Sequence, residues 1–196
     1  MPYRDVAIVV KVGGALLARP PHFDAVIAEI GAAARERRIL VVPGGGPFAD
    51  AVRGVDRQVH LSDDAAHWMA VLAMDQYAHL IAERLTDGQI VDTLRTIASV
   101  LNAGHVPVLA PFRWLRETDP LPHSWDVTSD SIAAWIAGEV GARLVVLVKA
   151  GSPRPDGLLY QDVVDAYFHR TLPADVTSVV AHADQIDELR AALRRR

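Results

Sequence analysis

Two short β-branched apolar runs, each closed by glycines, constrain this chain more than any other feature. Val6 to Val12 flows into Gly13-Gly14, and Ile39 to Val42 closes on Pro43-Gly44-Gly45-Gly46. Four to seven apolar residues without polar alternation read as strands buried on both faces, and the glycines read as tight loops at their ends. Between the two runs, Phe23 to Arg38 places apolar residues at 23, 26, 27 and 30 with charges between them, the period of an amphipathic helix. The unit is therefore strand, helix, strand, glycine loop, and Pro47 suits the first turn of a further helix.

The pattern continues along the chain. Ser62-Asp63-Asp64 makes a capped helix start for a long helix to about Leu85, and Thr93 to Ala103 reads as another helix stopped by Gly104. Val106-Pro107-Val108-Leu109 returns as a strand, and Pro111 to Ser124 reads as a proline-bearing loop without a period. Thr128 or Ser129 caps a helix to about Val140, Arg143 to Val148 is the most strand-like segment, Lys149 to Gly157 reads as a long loop, and Asp184 to Arg195 as a terminal helix. Alternating strands and helices predict an α/β fold, a mainly parallel sheet sandwiched by helices, in one domain over 1-196. Such sheets bind ligands outside the carboxyl ends of their strands, where Gly13-Gly14, Gly44-Gly45-Gly46 and Lys149 would meet.

Composition narrows the function classes. The 196 residues are 51% hydrophobic and 22% charged, as in an ordinary globular protein, with a formal net charge of -4. That balance supplies no field for a nucleic-acid partner, and the Arg194-Arg195-Arg196 tail reads as a solvated helix end. The chain has no cysteine, which excludes disulfides and thiolate metal sites and fits a reducing compartment. The first apolar run is too short for a membrane span or a signal-peptide core, so the expected location is the cytoplasm, with no membrane partner.

Lys11 interrupts an apolar strand just before a Gly-Gly turn, and a buried unpaired ammonium group costs several kcal/mol. It needs an anion, or else it snorkels to water at a strand end; residue type alone leaves both open. The glycine cluster 44 to 46 removes side chains from a strand-to-helix junction and leaves amide donors to face an anion. Neither loop ends in the Gly-Lys-Ser/Thr of a Walker A motif or has dinucleotide Gly-x-Gly-x-x-Gly spacing. Asp130, inside Asp126-Val127-Thr128-Ser129-Asp130, is either a first-turn helix carboxylate or a partner for cations. Lys149 follows the Arg143 to Val148 strand and places a second ammonium group at the same sheet edge as Lys11. A transferring phosphoryl group would balance two such charges, and Asp130 could hold both when the site is empty.

These residues resemble the amino acid kinase superfamily. The carriers are Lys11-Val12-Gly13-Gly14, Pro43-Gly44-Gly45-Gly46-Pro47, Asp126-Val127-Thr128-Ser129-Asp130, and Lys149 followed by Asp156-Gly157-Leu158-Leu159-Tyr160. The resemblance implies an ATP-dependent kinase with Mg2+ riding on ATP, catalytic Lys11, Asp130 and Lys149, and phosphate or nucleotide contacts from Gly13, Gly14, Asp156 and Gly157. It implies an acceptor half over about 1-125, a nucleotide half over about 126-196, no dedicated protein metal site, and a small-molecule phosphate acceptor. A homo-oligomer is the expected assembly. Ser62-Asp63-Asp64-Ala65-Ala66-His67-Trp68-Met69-Ala70, Met74-Asp75-Gln76-Tyr77 and His123-Ser124-Trp125-Asp126 look most like the aminomethylfuran phosphate kinases of methanofuran biosynthesis, which make a diphosphate from a phosphate monoester.

Acceptor contacts are then expected from Gly44, Gly45, Gly46, His67, Trp125 and Ser129, with His67 and Trp68 offering a cation and flat faces to a ring. Trp68, Met69 and Met74 read equally as core, and Arg113 and Arg116 as either a phosphate clamp or solvated loop residues. Isopentenyl phosphate kinases carry a histidine shortly after the glycine loop, where this chain has Phe48-Ala49-Asp50. The nucleotide segment after Lys149 is also reduced. A non-catalytic nucleotide or oxyanion binder, a uridylate or isopentenyl phosphate kinase, and an amino-acid carboxylate kinase are the alternatives.

Overall fold

The computed structural model describes residues 6–151 and 164–195. The β-branched runs form strands as expected: β1 Ile8–Val12, β2 Ile39–Pro43, β4 Val106–Leu109 and β5 Leu144–Lys149, joined at the edges by β3 Gly88–Val91 and β6 Thr177–His182. All pair in parallel, in the order β3-β4-β2-β1-β5-β6. The chain adds strands on one side of β1 first and then on the other, so β1 stands at the switch point where such sheets open a crevice. The two edge strands escaped the sequence reading: β3 has four residues and β6 is largely half-buried, which leaves little apolar run to see.

The helices are α1 Pro20–Ala34, α2 Gly46–Val59, α3 Asp63–Arg84, α4 Leu94–Asn102, α5 Phe112–Thr118, α6 Ser129–Glu139, α7 Phe168–Thr171 and α8 Ile186–Leu193. Their starts follow the caps in the sequence. The Ser62 side chain accepts from the Ala65 amide at 3.2 Å, Thr93 and Thr96 form a reciprocal capping box, and Thr128 accepts from the Asp130 amide at 3.3 Å. Gly104 and Gly141 stop α4 and α6 with φ of 79° and 65°, a conformation side chains resist. The expected loop from Pro111 to Ser124 is instead partly α5. Asp75 on α3 accepts the Phe112 amide at 3.0 Å, so a carboxylate far away in sequence holds the start of this short helix.

Strand alternation splits the core in two. Val9, Leu40, Val42, Val145 and Leu147 face α4, α5 and α6, while Val10, Val41, Val146 and Val148 face α1 and α8. Lys11 has the parity of Val9 and so points to the α6 side. No described helix is long and apolar enough to cross a membrane.

Candidate active site

Sheet order brings the two lysines together. β1 lies directly beside β5 with Lys11 opposite Leu147, and Lys149 ends β5 two residues further on. The first turn of α6 lies over this edge and inserts Asp130 between them. Lys11 Nζ is 2.9 Å from Asp130 Oδ1, an ion-pair contact without hydrogen-bond alignment, and Lys149 Nζ donates to Oδ2 at 2.5 Å. Lys11 is 5% exposed and Asp130 3%, while the Lys149 side chain keeps 21% exposure, so the triad joins a buried ion pair to a second cation at the cleft wall. The snorkelling alternative for Lys11 therefore falls.

Burial alone would raise the Asp130 pKa; the Lys11 charge and then the Lys149 charge outweigh it and hold the carboxyl below its ordinary range. Burial, helped by Lys11, brings Lys149 below the usual lysine value despite the pull of Asp130. Asp130 by itself balances only one of the two ammonium groups.

The triad borders a cleft of 310 Å³ lined by both glycine loops, the inner face of α3, the segment before α6 and both lysines. Gly14, Gly45 and Gly46 line it, but Gly13 and Gly44 do not. The Gly13 amide is spent on the Val148 carbonyl at 2.9 Å and the Gly44 amide on the Val12 carbonyl at 2.8 Å. The sheet has taken these two donors, so what Gly13 and Gly44 supply in this structure is close backbone packing beside the cleft. A Cβ on Gly13 would lie 2.6 Å from the Val148 carbonyl oxygen. The Tyr77 hydroxyl, fully buried on α3, donates to the Gly13 carbonyl at 3.3 Å and braces the loop from behind. Sequence reading gave Tyr77 no such part, because only the tertiary contact shows it.

Gly14 and Gly46 meet backbone to backbone. A Cβ on Gly14 would fall 2.1 Å from the Gly46 nitrogen, so the two loops form one continuous amide surface that any side chain would split. The start of α2 has no side-chain cap, which leaves its first amides facing the cleft. Gly14→Ala is expected to abolish most anion binding at the cleft with a modest fall in Tm. Calorimetric titration with a nucleotide and a melting curve check this, and unaltered binding would contradict the packing described.

The opposite wall carries the residues expected for an acceptor. Trp125 lines the cleft, its Nε1 donates to Asp56 at 2.9 Å, and the Arg53 guanidinium lies 4.7 Å over its ring. Ser129 and His67 also line the cleft. His67 stacks on His123 at 4.1 Å and 13°, and His123 is clamped between Asp64 at 2.9 Å and Asp119 at 2.8 Å. Burial first, and then His123, pushes the His67 pKa down to about 4, so His67 is neutral near pH 7. The expected cation is therefore not His67; on this wall it is Arg53, which the sequence did not single out. Trp68 and Met74 are core, with Met74 reaching the cleft floor. Arg113 and Arg116 sit on α5 and do not line the cleft: Arg113 pairs with Asp92 and Glu117, and Arg116 covers the Trp68 ring at 4.6 Å. Asp156 and Gly157 lie outside the described residues.

The sheet order, the switch-point cleft and the lysine-carboxylate-lysine triad define an α/β protein that gathers two cations, one carboxylate and two glycine loops at one sheet edge. The chain belongs to the amino acid kinase family, whose family model matches residues 7–152. It is similar to the [5-(aminomethyl)furan-3-yl]methyl phosphate kinase of Methanocaldococcus jannaschii, 31% identical over 143 residues, which cover 71% of this chain and 63% of that relative. The chain thus spans less than two thirds of the length of that relative. Its fold resembles the UMP kinase of Ureaplasma parvum (TM-score 0.73, 17% identity, 96% of each chain) and the uridylate kinase of Archaeoglobus fulgidus (TM-score 0.71, 14% identity, 96% of each chain).

Proposed function

We propose that the protein is an ATP-dependent kinase that phosphorylates a phosphate monoester to a diphosphate, with [5-(aminomethyl)furan-3-yl]methyl phosphate of methanofuran-type cofactor biosynthesis as the acceptor. The observation that carries the reaction type is the buried Lys11–Asp130–Lys149 triad beside the joined glycine loops. The sequence identity to the furan phosphate kinase supports the acceptor, and the Trp125 and Arg53 wall, with the neutral His67 ring, offers flat faces that suit a small ring.

In this reading an anionic oxygen of the acceptor phosphate attacks the γ-phosphorus of ATP. A new P–O bond forms as the β,γ-bridging bond breaks, and ADP leaves with the electron pair. The attacking oxygen already lacks a proton, so no protein group has to act as a strong base. Lys11 and the Gly14 amide hold the transferring group, Lys149 meets the nucleotide side, Asp130 orients both lysines, and Gly45, Gly46 and Ser129 seat the acceptor phosphate. Mg2+ would be carried by the ATP phosphates, where it screens their charge. A homo-oligomeric, cytoplasmic enzyme belongs to the same proposal.

A panel of acceptors with magnesium ATP tests the reading. The furan phosphate is expected to exceed uridylate, isopentenyl phosphate and glutamate-type carboxylates in kcat/KM by about a hundredfold or more. Turnover of uridylate alone would move the assignment within the family, and turnover of none would end the phosphate-acceptor reading.

A further inference from the structure

Asp165 lies just before α7 and has no place in the motifs that marked the site, yet it gathers more hydrogen bonds at α6 than any residue of those motifs. Its Oδ2 accepts from the Thr128 amide at 3.0 Å, the Thr128 hydroxyl at 2.7 Å and the Ser131 amide at 3.0 Å. Its Oδ1 accepts from the Ser131 hydroxyl and from the Tyr167 amide at 3.1 Å. Thr128 lies two residues before Asp130 and Ser131 directly after it, so the backbone on both sides of the triad carboxylate is tied to one side chain. Ser131 is fully buried, and the first turn of α6 would otherwise hold open donors beside two cations.

We propose that Asp165 is a positioning residue of the transfer site: by binding Thr128 and Ser131 it fixes the first turn of α6 so that Asp130 stays between Lys11 and Lys149. The proposal rests on the phosphoryl-transfer reading for its consequence in turnover, while its structural claim stands on the hydrogen bonds alone.

The second consequence is electrostatic. Lys149 is faced by Lys11 from β1, Asp130 from α6 and Asp165 from the segment before α7; His182 stands in register with it on β6, and Arg19 binds the neighbouring Ala150 carbonyl at 3.0 Å. The Asp165 charge opposes the burial that lowers the Lys149 pKa. Removing that charge must let Lys149 lose its proton at lower pH.

Two variants separate positioning from simple helix capping. Asp165→Asn keeps the shape but removes the charge and one acceptor; Ser131→Ala removes one donor to Asp165 and leaves its charge. Titration of Lys149, followed by NMR of ε-13C-labelled lysine in the full-length protein, is expected to move to lower pH in D165N and to stay in place in S131A. Both should lower Tm. Turnover of D165N on its best acceptor is expected to fall about tenfold or more with KM for ATP nearly unchanged. A D165N protein that melts earlier but titrates Lys149 as the wild type does and keeps its kcat would overturn the proposal. The NMR readout needs no acceptor, so an error in the acceptor assignment would leave the titration shift intact and show only as absent turnover in the wild type too.

Discussion

Lys11→Ala is expected to lower kcat by about a hundred- to a thousandfold while changing nucleotide affinity by no more than about threefold. The ammonium group is buried at the end of β1, next to the glycine loop that would meet the transferring group, where it would hold the equatorial oxygens of the in-line transition state more closely than those of bound nucleotide. The variant leaves Asp130 paired with Lys149, so the fold keeps a neutralised carboxylate and the loss should fall on turnover. Steady-state kinetics with calorimetric nucleotide binding measure both quantities. Equal losses in affinity and turnover would favour a protein that binds nucleotide without transferring from it.

Asp130→Asn has the larger effect on the fold itself. It leaves Lys11 and Lys149 facing each other in a desolvated cleft with no anion between them, and breaking a buried pair from one side costs about 3–5 kcal/mol. Melting curves should show a large fall in Tm, and added inorganic phosphate or nucleotide should recover more of it in the variant than it adds in the wild type. The pH dependence has a definite sign. The folded-state pKa of Asp130 is lowered from 3.8, so its stabilisation is present above that value and is lost as pH falls through the lowered one. The gap between wild type and variant should therefore be full near neutral pH and close in strong acid. A gap that stays constant to low pH would mean that the carboxylate charge is not what holds the lysines.

Much of this arrangement could be read locally. The β-branched runs gave four of the six described strands, Ser62, Thr93 and Thr128 marked three helix starts, and Gly104 marked a helix end. Strand period and caps are short-range effects, written in residues a few positions apart. α5 was missed because its start is held by Asp75, and β3 and β6 because edge strands need no continuous apolar run.

The residues of the candidate site were more legible than their roles. The cost of burying charge singled out Lys11, its place at the same sheet edge singled out Lys149, the need for side-chain-free loops pointed to the glycine clusters, and the family resemblance supplied the part given to Asp130. Gly13 and Gly44 carry the same residue type but give their amides to Val148 and Val12, which depends on which strand stands next to which. The charge of His67 could not be read from its type, since burial and the stacked His123 set it. Asp165 had no local signal, because its donors at α6, Thr128 and Ser131, lie more than thirty positions earlier in the chain.

What the sequence by itself determined, then, is an alternating α/β chain with cationic strand ends and glycine loops, because propensity, capping and desolvation cost act within a few residues. The tertiary structure alone decided the order β3-β4-β2-β1-β5-β6, and with it that Lys11 and Lys149 share one carboxylate, that two of five loop glycines are spent inside the sheet, and that Asp165 secures the helix bearing Asp130. The physical reason is that these contacts join residues far apart in the chain, and their distances are fixed by how strands and helices pack, which no local run of residues encodes.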